Sequence, residues 1–335
     1  MMGHGAGAPM KRIVITGARG YIGTALAKRL TDAGYALRLV SRTSDAPRMA
    51  TECATKIEYV QTDLRDEAAW SELMTNAHAI VHLSSRTDLR AAEADPTGDD
   101  NINIEPVRSL IRAAAQSGAR PSVIFASTVT IVGNQHDNSV DERTPDRPCS
   151  VYDRHKLTCE TLLREATVHG QLRACSLRLS NVYGYGQVSI NANRGILNVM
   201  LARATRGEAL TLFGNGQYIR DFVHLDDVAE AFCAAVANER VCDGRHYVIA
   251  SGQGHPLTEV FELVAQEALL QTDQRIEIRR VPEPPDLHPI ERRNFVGNSR
   301  LFHTLTNWQP RIDLKTGIHD YFTRAAASAP LAAGR

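Results

Sequence analysis

Tyr152 and Lys156 stand four residues apart in the segment SVYDRHKLTCETLLREATVHG at 150–170, whose apolar spacing predicts a helix. Residues four apart lie on one helix face, so the phenol and the ammonium are neighbours. A tyrosine ordinarily ionises near pH ~10, too high for a good base at neutral pH. A nearby ammonium favours the phenolate, which lets Tyr152 exchange a proton with an alcohol or a carbonyl. Thr128 follows the apolar run SVIFAS at 122–127 and is placed to hydrogen-bond the same substrate oxygen, with Ser127 beside it. A Y-x-x-x-K pair alone is a common surface pattern. Its weight here comes from its order along the chain, after a glycine loop and after Ser127-Thr128.

That loop is Gly17-Ala18-Arg19-Gly20-Tyr21-Ile22-Gly23. It joins the β-branched run KRIVIT at 11–16 to YIGTALAKRLTDAG at 21–34, which has helical periodicity and ends on Gly34. Glycines allow a tight turn and let backbone approach a pyrophosphate, while a helix N-terminus offers N–H groups and a positive dipole end. The plainer reading is a strand–helix turn that needs small residues. The next strand, ALRLVS at 36–41, ends where an adenosine ribose would lie. An acid there accepts from the 2′-hydroxyl of NAD, whereas an arginine pairs with the 2′-phosphate of NADP. Ser41 holds the acid position, Arg42 follows, Arg19 could add a second guanidinium, and Asp45 lies further along. The sequence therefore favours NADP(H) over NAD(H). Lys156 would then also hold the nicotinamide ribose. Asp63-Leu64, after the strand IEYVQ at 57–61, is placed to touch the adenine edge or to cap the following helix.

The elements that must carry these residues alternate. DEAAWSELM at 66–74 predicts a helix, HAIVHL at 78–83 a strand, INIEPVRSLIRAAAQSG at 102–118 a helix and ACSLRL at 174–179 a strand. This rhythm predicts an α/β fold with a doubly wound parallel sheet over 11–180, to which a helix at 226–239 returns within 221–250. The rhythm changes after 180, and residues 181–220 and 251–325 are read as a smaller α/β substrate lobe. Within it, VPEPPDLHPIERR at 281–293 reads as an ordered loop or lid. Residues 1–10 read as a disordered leader and 326–335 as a loose tail.

A chain of 335 residues, 43% of them hydrophobic, can bury a substantial core. Lysine plus arginine equal aspartate plus glutamate at 38 each, which argues against nucleic acid or an anionic membrane as partner. No run of about 18 apolar residues predicts a membrane span. Six scattered cysteines, with no C-x-x-C pair, fit a reducing cytoplasm, and no His/Cys/Asp grouping argues for a metal. His82 and His155 read as structural, and His224, Asp226 and Asp227 as the anchor of the helix that follows them.

With TGARGYIG, VHLSS at 81–85, FASTVTIVG at 125–133, YDRHK at 152–156, LRLSNVYG at 177–184 and FGNGQYIRDFVHLDDVAEA at 213–231, the chain resembles the extended short-chain dehydrogenase/reductases that epimerise, dehydrate or reduce nucleotide sugars. The resemblance spans about residues 11–322. It implies that Leu83 and Ser84 border the cofactor, that Asn103 supports the active site, and that Asn181 and Arg220 hold a substrate diphosphate, with Arg293 a further candidate. An arginine fork suits phosphate oxygens, although Arg220 could instead pair with adjacent Asp221. It also implies a homodimer through a four-helix bundle formed by helices at about 100–117 and 151–169. Ala113, Ala114, Ala115, Leu162 and Leu163 would suit that close packing, or would face the sheet.

Val129 and Thr130 stand where the 4,6-dehydratases of this group place an acidic pair, which argues against dehydration and weakens decarboxylation. No Cys/His pair suggests 3,5-epimerisation. Val132 and Pro106-Val107 depart from the group's tyrosine and Gly-Thr, and bear on substrate orientation. Two activities remain: NADPH-dependent reduction of a nucleotide-linked 4-keto-6-deoxyhexose, favoured by Ser41-Arg42, and 4-epimerisation with tightly held NAD. A non-catalytic NADP(H)-binding sensor or scaffold is opposed by the intact Thr128, Tyr152 and Lys156.

Overall fold

The computed structural model describes residues 10–43, 56–135, 139–186 and 195–328. The first apolar run forms β1 (Arg12–Thr16) and turns through the glycines into α1 (Tyr21–Asp32), which stops before Gly34 at a φ of 87°. Next come β2 (Ala36–Ser41), β3 (Ile57–Gln61), α2 (Glu67–Met74) and β4 (Ala77–His82). Three helices follow: α3 (Leu89–Ala94), α4 (Pro96–Asn103) and α5 (Glu105–Ser117). β5 (Ser122–Thr128), β6 (Ser139–Val140), α6 (Val151–Val168), β7 (Arg173–Leu179) and β8 (Asn181–Tyr183) complete the first half.

The second half holds α7 (Ile196–Thr205), β9 (Leu210–Phe213), β10 (Ile219–His224), α8 (Leu225–Ala237), β11 (His246–Ile249) and β12 (Gly254–Pro256). It closes with α9 (Leu257–Thr272), β13 (Ile278–Val281), β14 (Val296–Gly297), α10 (Arg300–Thr306) and α11 (Leu314–Ser328). The expected doubly wound sheet is present. Its seven strands run β3-β2-β1-β4-β5-β7-β11 and every pairing is parallel.

Strands covered on both faces must be apolar on both, which explains the unbroken β-branched runs. One face packs Leu26, Leu30, Phe232 and Phe302, drawn from α1, α8 and α10. The other packs Trp70, Leu110 and Leu163, from α2, α5 and α6. A third core gathers Tyr183, Leu201, Leu212, Phe261 and Ile318 around α7, α9 and α11.

The helix expected over 102–118 is two. Pro106 lacks an N–H and is tolerated only in a first turn, so a new helix starts at Glu105 and the chain breaks at Ile104. α4 itself, capped by Asp95 on the Gly98 N–H, has no apolar period to announce it. Ala113, Ala114 and Leu163 point into the core and Leu162 packs partly buried against it, leaving only Ala115 of the proposed dimer residues exposed. α11 reaches Ser328, so the first three residues of the expected tail are helical. Residues 1–9, Asp45, Cys53 and 329–335 lie outside the described residues. Among those described, no helix is long and apolar enough to cross a membrane.

Asp227 ties α8 to the segment between α10 and α11. Its carboxylate accepts from the Arg311 and Ile312 N–H groups at 3.1 and 3.0 Å, and its carbonyl accepts from the Trp308 indole at 3.0 Å. His224, not an aspartate, caps α8 by accepting from the Asp226 N–H. Replacing Asp227 with alanine removes two acceptors from a buried site. The expected loss is about 1–3 kcal/mol, read as a lower denaturant midpoint at unchanged slope.

Candidate active site

At the end of β1 the backbone comes unusually close to its neighbour strand. Thr16 Oγ1 accepts from the N–H groups of Leu83 and Ser84, each at 3.2 Å, and bonds His82 Nδ1 at 2.9 Å. Gly17 follows with a φ of 65°, and a Cβ there would lie 2.8 Å from the Ser84 nitrogen. A Cβ on Gly23 would collide with the Gly17 carbonyl. Gly20 stands at the N-cap of α1 with extended backbone and no capping side chain. The result is a cradle open to an anion at a helix N-terminus, which fits a dinucleotide's pyrophosphate. The Tyr21 and Ile22 side chains are engaged elsewhere. The Tyr21 hydroxyl donates to the Gly184 carbonyl at 2.6 Å, and burial pushes its pKa far up; Ile22 packs on the core.

Beyond the cradle, the Ser41 hydroxyl donates to the Thr43 carbonyl at 2.6 Å and Arg19 donates to the Thr43 hydroxyl. Arg42 is exposed. Asp63 is not a helix cap, because Asp66 takes that place by accepting from the Ala68 N–H. The Asp63 carboxyl is instead pulled down to about 2, first by its hydrogen bonds from Arg65 and in smaller part by the charge of Arg42. Leu64 is buried, and its carbonyl accepts from the Trp70 indole.

α6 starts at Ser150, whose hydroxyl accepts from the Asp153 N–H. One turn in, Tyr152 and Lys156 face the sheet at 5% and 4% exposure. Lys156 Nζ donates to the Ala126 carbonyl at 2.8 Å, 4.5 Å from the Phe125 ring centre and 5.8 Å from that of Tyr152. Thr128, half-buried at the end of β5, places its hydroxyl 2.8 Å from that of Thr130, which donates to the Asp153 carboxylate. Ser127 turns the other way. Its hydroxyl donates to Glu160, inside a buried network with Arg178 and Asp146, so the neighbour of Thr128 is committed to the interior. His82 is held neutral: burial, then the Lys156 charge, lowers its pKa to about 3. Only its Nδ1 is paired among the described residues.

Asn103 braces the loop after β4. It accepts from the Ser85 hydroxyl at 2.9 Å and the Arg86 N–H at 2.7 Å, and donates to the Arg86 carbonyl and to Asp99. Asp99 is fully buried and also receives Arg86 Nε and His155 Nδ1 at 2.6 and 2.8 Å. That carboxylate sits in PTGDDNIN, where no spacing marks it in the sequence. His155 thus points off the Tyr152–Lys156 face.

Asn181, Arg220 and Arg293, scattered in sequence, meet. Arg293 donates to the Asn181 side-chain oxygen at 3.3 Å and to the Ile290 carbonyl at 2.7 Å. Arg220 donates to the carbonyls of Ile219, Glu291 and Arg293. It does not pair with Asp221, which turns away to accept from Ser251, Gly252 and Gly297. Arg220 and Arg293 are 2% and 8% exposed, and the Glu291 carboxylate lies 4.0 Å from Arg220 at the surface. Burial, and then the charge of Arg293, pull the Arg220 pKa down. Two guanidinium groups thus lie side by side in the interior, next to the Asn181 amide. The structure thus gathers a glycine turn at a helix N-terminus, a buried phenol beside a buried ammonium, and two buried guanidinium groups beside Asn181. Among the described residues no cluster of His, Cys, Asp and Glu could hold a metal.

The sequence model of the NAD dependent epimerase/dehydratase family matches residues 13–250. The UDP-glucose 4-epimerase of Mycolicibacterium smegmatis is 26% identical over 315 residues, covering 92% of this chain and 96% of its own. The dTDP-L-rhamnose 4-epimerase of Burkholderia thailandensis is 27% identical, covering 76% of this chain and 80% of its own. Among solved structures, the Thermus thermophilus UDP-glucose 4-epimerase in complex with NAD superposes with a TM-score of 0.80 at 24% identity, over 95% of this chain and 99% of that one. The match over residues 13–250 takes in the glycine cradle, Thr128, Tyr152, Lys156 and Arg220, and the chain belongs to the NAD dependent epimerase/dehydratase family of extended short-chain dehydrogenase/reductases.

Proposed function

We propose that this protein is a nucleotide-sugar 4-epimerase that interconverts the two C4 configurations of a nucleoside-diphosphate hexose of the UDP-glucose kind, with resident NAD. The observation that carries the substrate class is the buried Arg220–Arg293 pair beside Asn181, whose charge a diphosphate would neutralise. The relatives that cover most of the chain and are named 4-epimerases support that activity over the 4-ketoreductase to which Ser41 and Arg42 point.

The ribose end of the cradle supports NAD as well. The Ser41 hydroxyl is committed to the Thr43 carbonyl, and the ionised Asp63 stands within electrostatic reach of Arg42. A 2′-phosphate would meet that carboxylate's charge, and a 2′-hydroxyl would not. The chain's own groups then divide the work. Tyr152 takes the proton of the C4 hydroxyl and returns it, with Lys156 beside it favouring the phenolate. Thr128 holds the same oxygen. Arg220, Arg293 and Asn181 grip the diphosphate, so the hexose can turn while the nucleotide stays. Bound NAD would supply the hydride acceptor and donor for C4.

Tyr152→Phe is expected to lower kcat by ~10²–10⁴-fold with little change in KM, measured as UDP-glucose/UDP-galactose interconversion. Undiminished turnover would overturn the assignment. Arg220→Met removes charged hydrogen-bond donors and is expected to weaken UDP binding by roughly 10–100-fold in calorimetry. The purified protein is expected to carry NAD and to bind NADP at least about tenfold more weakly, since one like-charge contact costs more than ~1.4 kcal/mol at short range. A preference for NADP would restore the reductase reading.

A further inference from the structure

We propose that Asp153 is the far end of a proton relay that begins at Thr128, so that the C4 hydroxyl proton has a second exit besides Tyr152. This rests on the epimerase reading above. Thr128 Oγ1 lies 2.8 Å from Thr130 Oγ1, and the Thr130 hydroxyl donates to Asp153 Oδ1. A threonine hydroxyl has one hydrogen. That of Thr130 goes to the carboxylate, so its oxygen accepts from Thr128, and the Thr128 hydrogen points along the chain. The Thr130 N–H occupies one lone pair of Thr128 at 3.2 Å. What remains on Thr128, at its half-buried side, is a lone pair that can take a hydrogen.

Helix capping is the plainer account of Asp153, since Ser150 and Asp153 have the spacing of a capping box. The reciprocal half of that box is missing. Asp153 takes the Thr130 hydroxyl on Oδ1, and its Oδ2 is buried with no partner among the described residues. Asp153 is 1% exposed. Burying a carboxylate with a bare oxygen is costly, and capping alone does not require it, because an exposed acid in the first turn serves the helix dipole. A carboxylate at the end of a hydroxyl chain does serve as a proton acceptor.

The step balances. As C4 loses hydride to oxidised nicotinamide, the C4–O bond becomes a carbonyl and the hydroxyl proton passes to Thr128 Oγ1. The Thr128 hydrogen moves to Thr130, the Thr130 hydrogen moves to Asp153, and the carboxylate becomes a carboxylic acid. Return of hydride to the opposite face runs the three hops backwards.

Asp153→Asn keeps the volume and the acceptor but cannot take a proton. Thr130→Val cuts the chain, and Thr130→Ser mends it. In NAD-loaded protein, Asp153→Asn and Thr130→Val are each expected to lower kcat about tenfold at unchanged KM, the scale of one auxiliary proton-transfer group, while Thr130→Ser stays near wild type. In a Tyr152→Phe background the first two should extinguish the residual turnover. A second readout is independent of rate. Infrared difference spectra on adding UDP-glucose should gain a protonated-carboxyl band that Asp153→Asn lacks. An active wild type with neither the kcat effect nor the band overturns the relay alone. A loss confined to KM, or one that Thr130→Ser shares, also overturns it. A wild type that turns over no nucleotide sugar overturns the relay together with the epimerase reading.

Discussion

The hydrogen bond from Lys156 to the Ala126 carbonyl is the contact on which the site depends. It crosses from α6 to β5 two residues before Thr128, so it sets the distance between the helix that carries Tyr152 and the strand end that carries Thr128. A buried ammonium must find such partners, because an unpaired charge in the interior costs several kcal/mol or more. The carbonyl and the neighbouring Phe125 ring meet part of that need. Lys156 is therefore also a fastener, since a shift of α6 along the sheet that moved the phenol would stretch this bond too.

Much of this was legible in the sequence because it rests on period and spacing. Six of the seven parallel strands follow from strand-like runs in the sequence, the cradle from three glycines between a strand and a helix, and the paired phenol and ammonium from a four-residue step. What stayed hidden depends on long-range meetings that leave no local pattern. Asp99 gathers Arg86 from the loop after β4, Asn103 from its own helix and His155 from α6. Ser127 beside Thr128 reads as a substrate contact, yet strand alternation sends adjacent side chains to opposite faces, and it turns to Glu160. The alternative reading of Arg220, pairing with adjacent Asp221, fails for the same reason. The break at Ile104 lay in plain view at Pro106, but the apolar period continued across it and hid the boundary.

The polar interior has a common logic. Arg178 is closed off by Glu160 and Asp146, and Asp221 by Ser251, Gly252 and Gly297, so these groups stiffen the scaffold and offer nothing outward. Among the described residues, Arg220, with no carboxylate nearer than 4.0 Å, and Asp153, whose Oδ2 has no partner, are two places where that closure is incomplete. Stability would be served by completing both. Their incompleteness marks where the fold gives up stability for chemistry.

The bond from the Tyr21 hydroxyl to the Gly184 carbonyl has a wider consequence. Tyr21 is the first residue of the helix behind the glycine cradle, and Gly184 ends the short segment that begins at Asn181. One phenol therefore ties the start of α1 to the turn after β8, and two segments far apart in the sequence cannot shift independently without breaking that hydrogen bond.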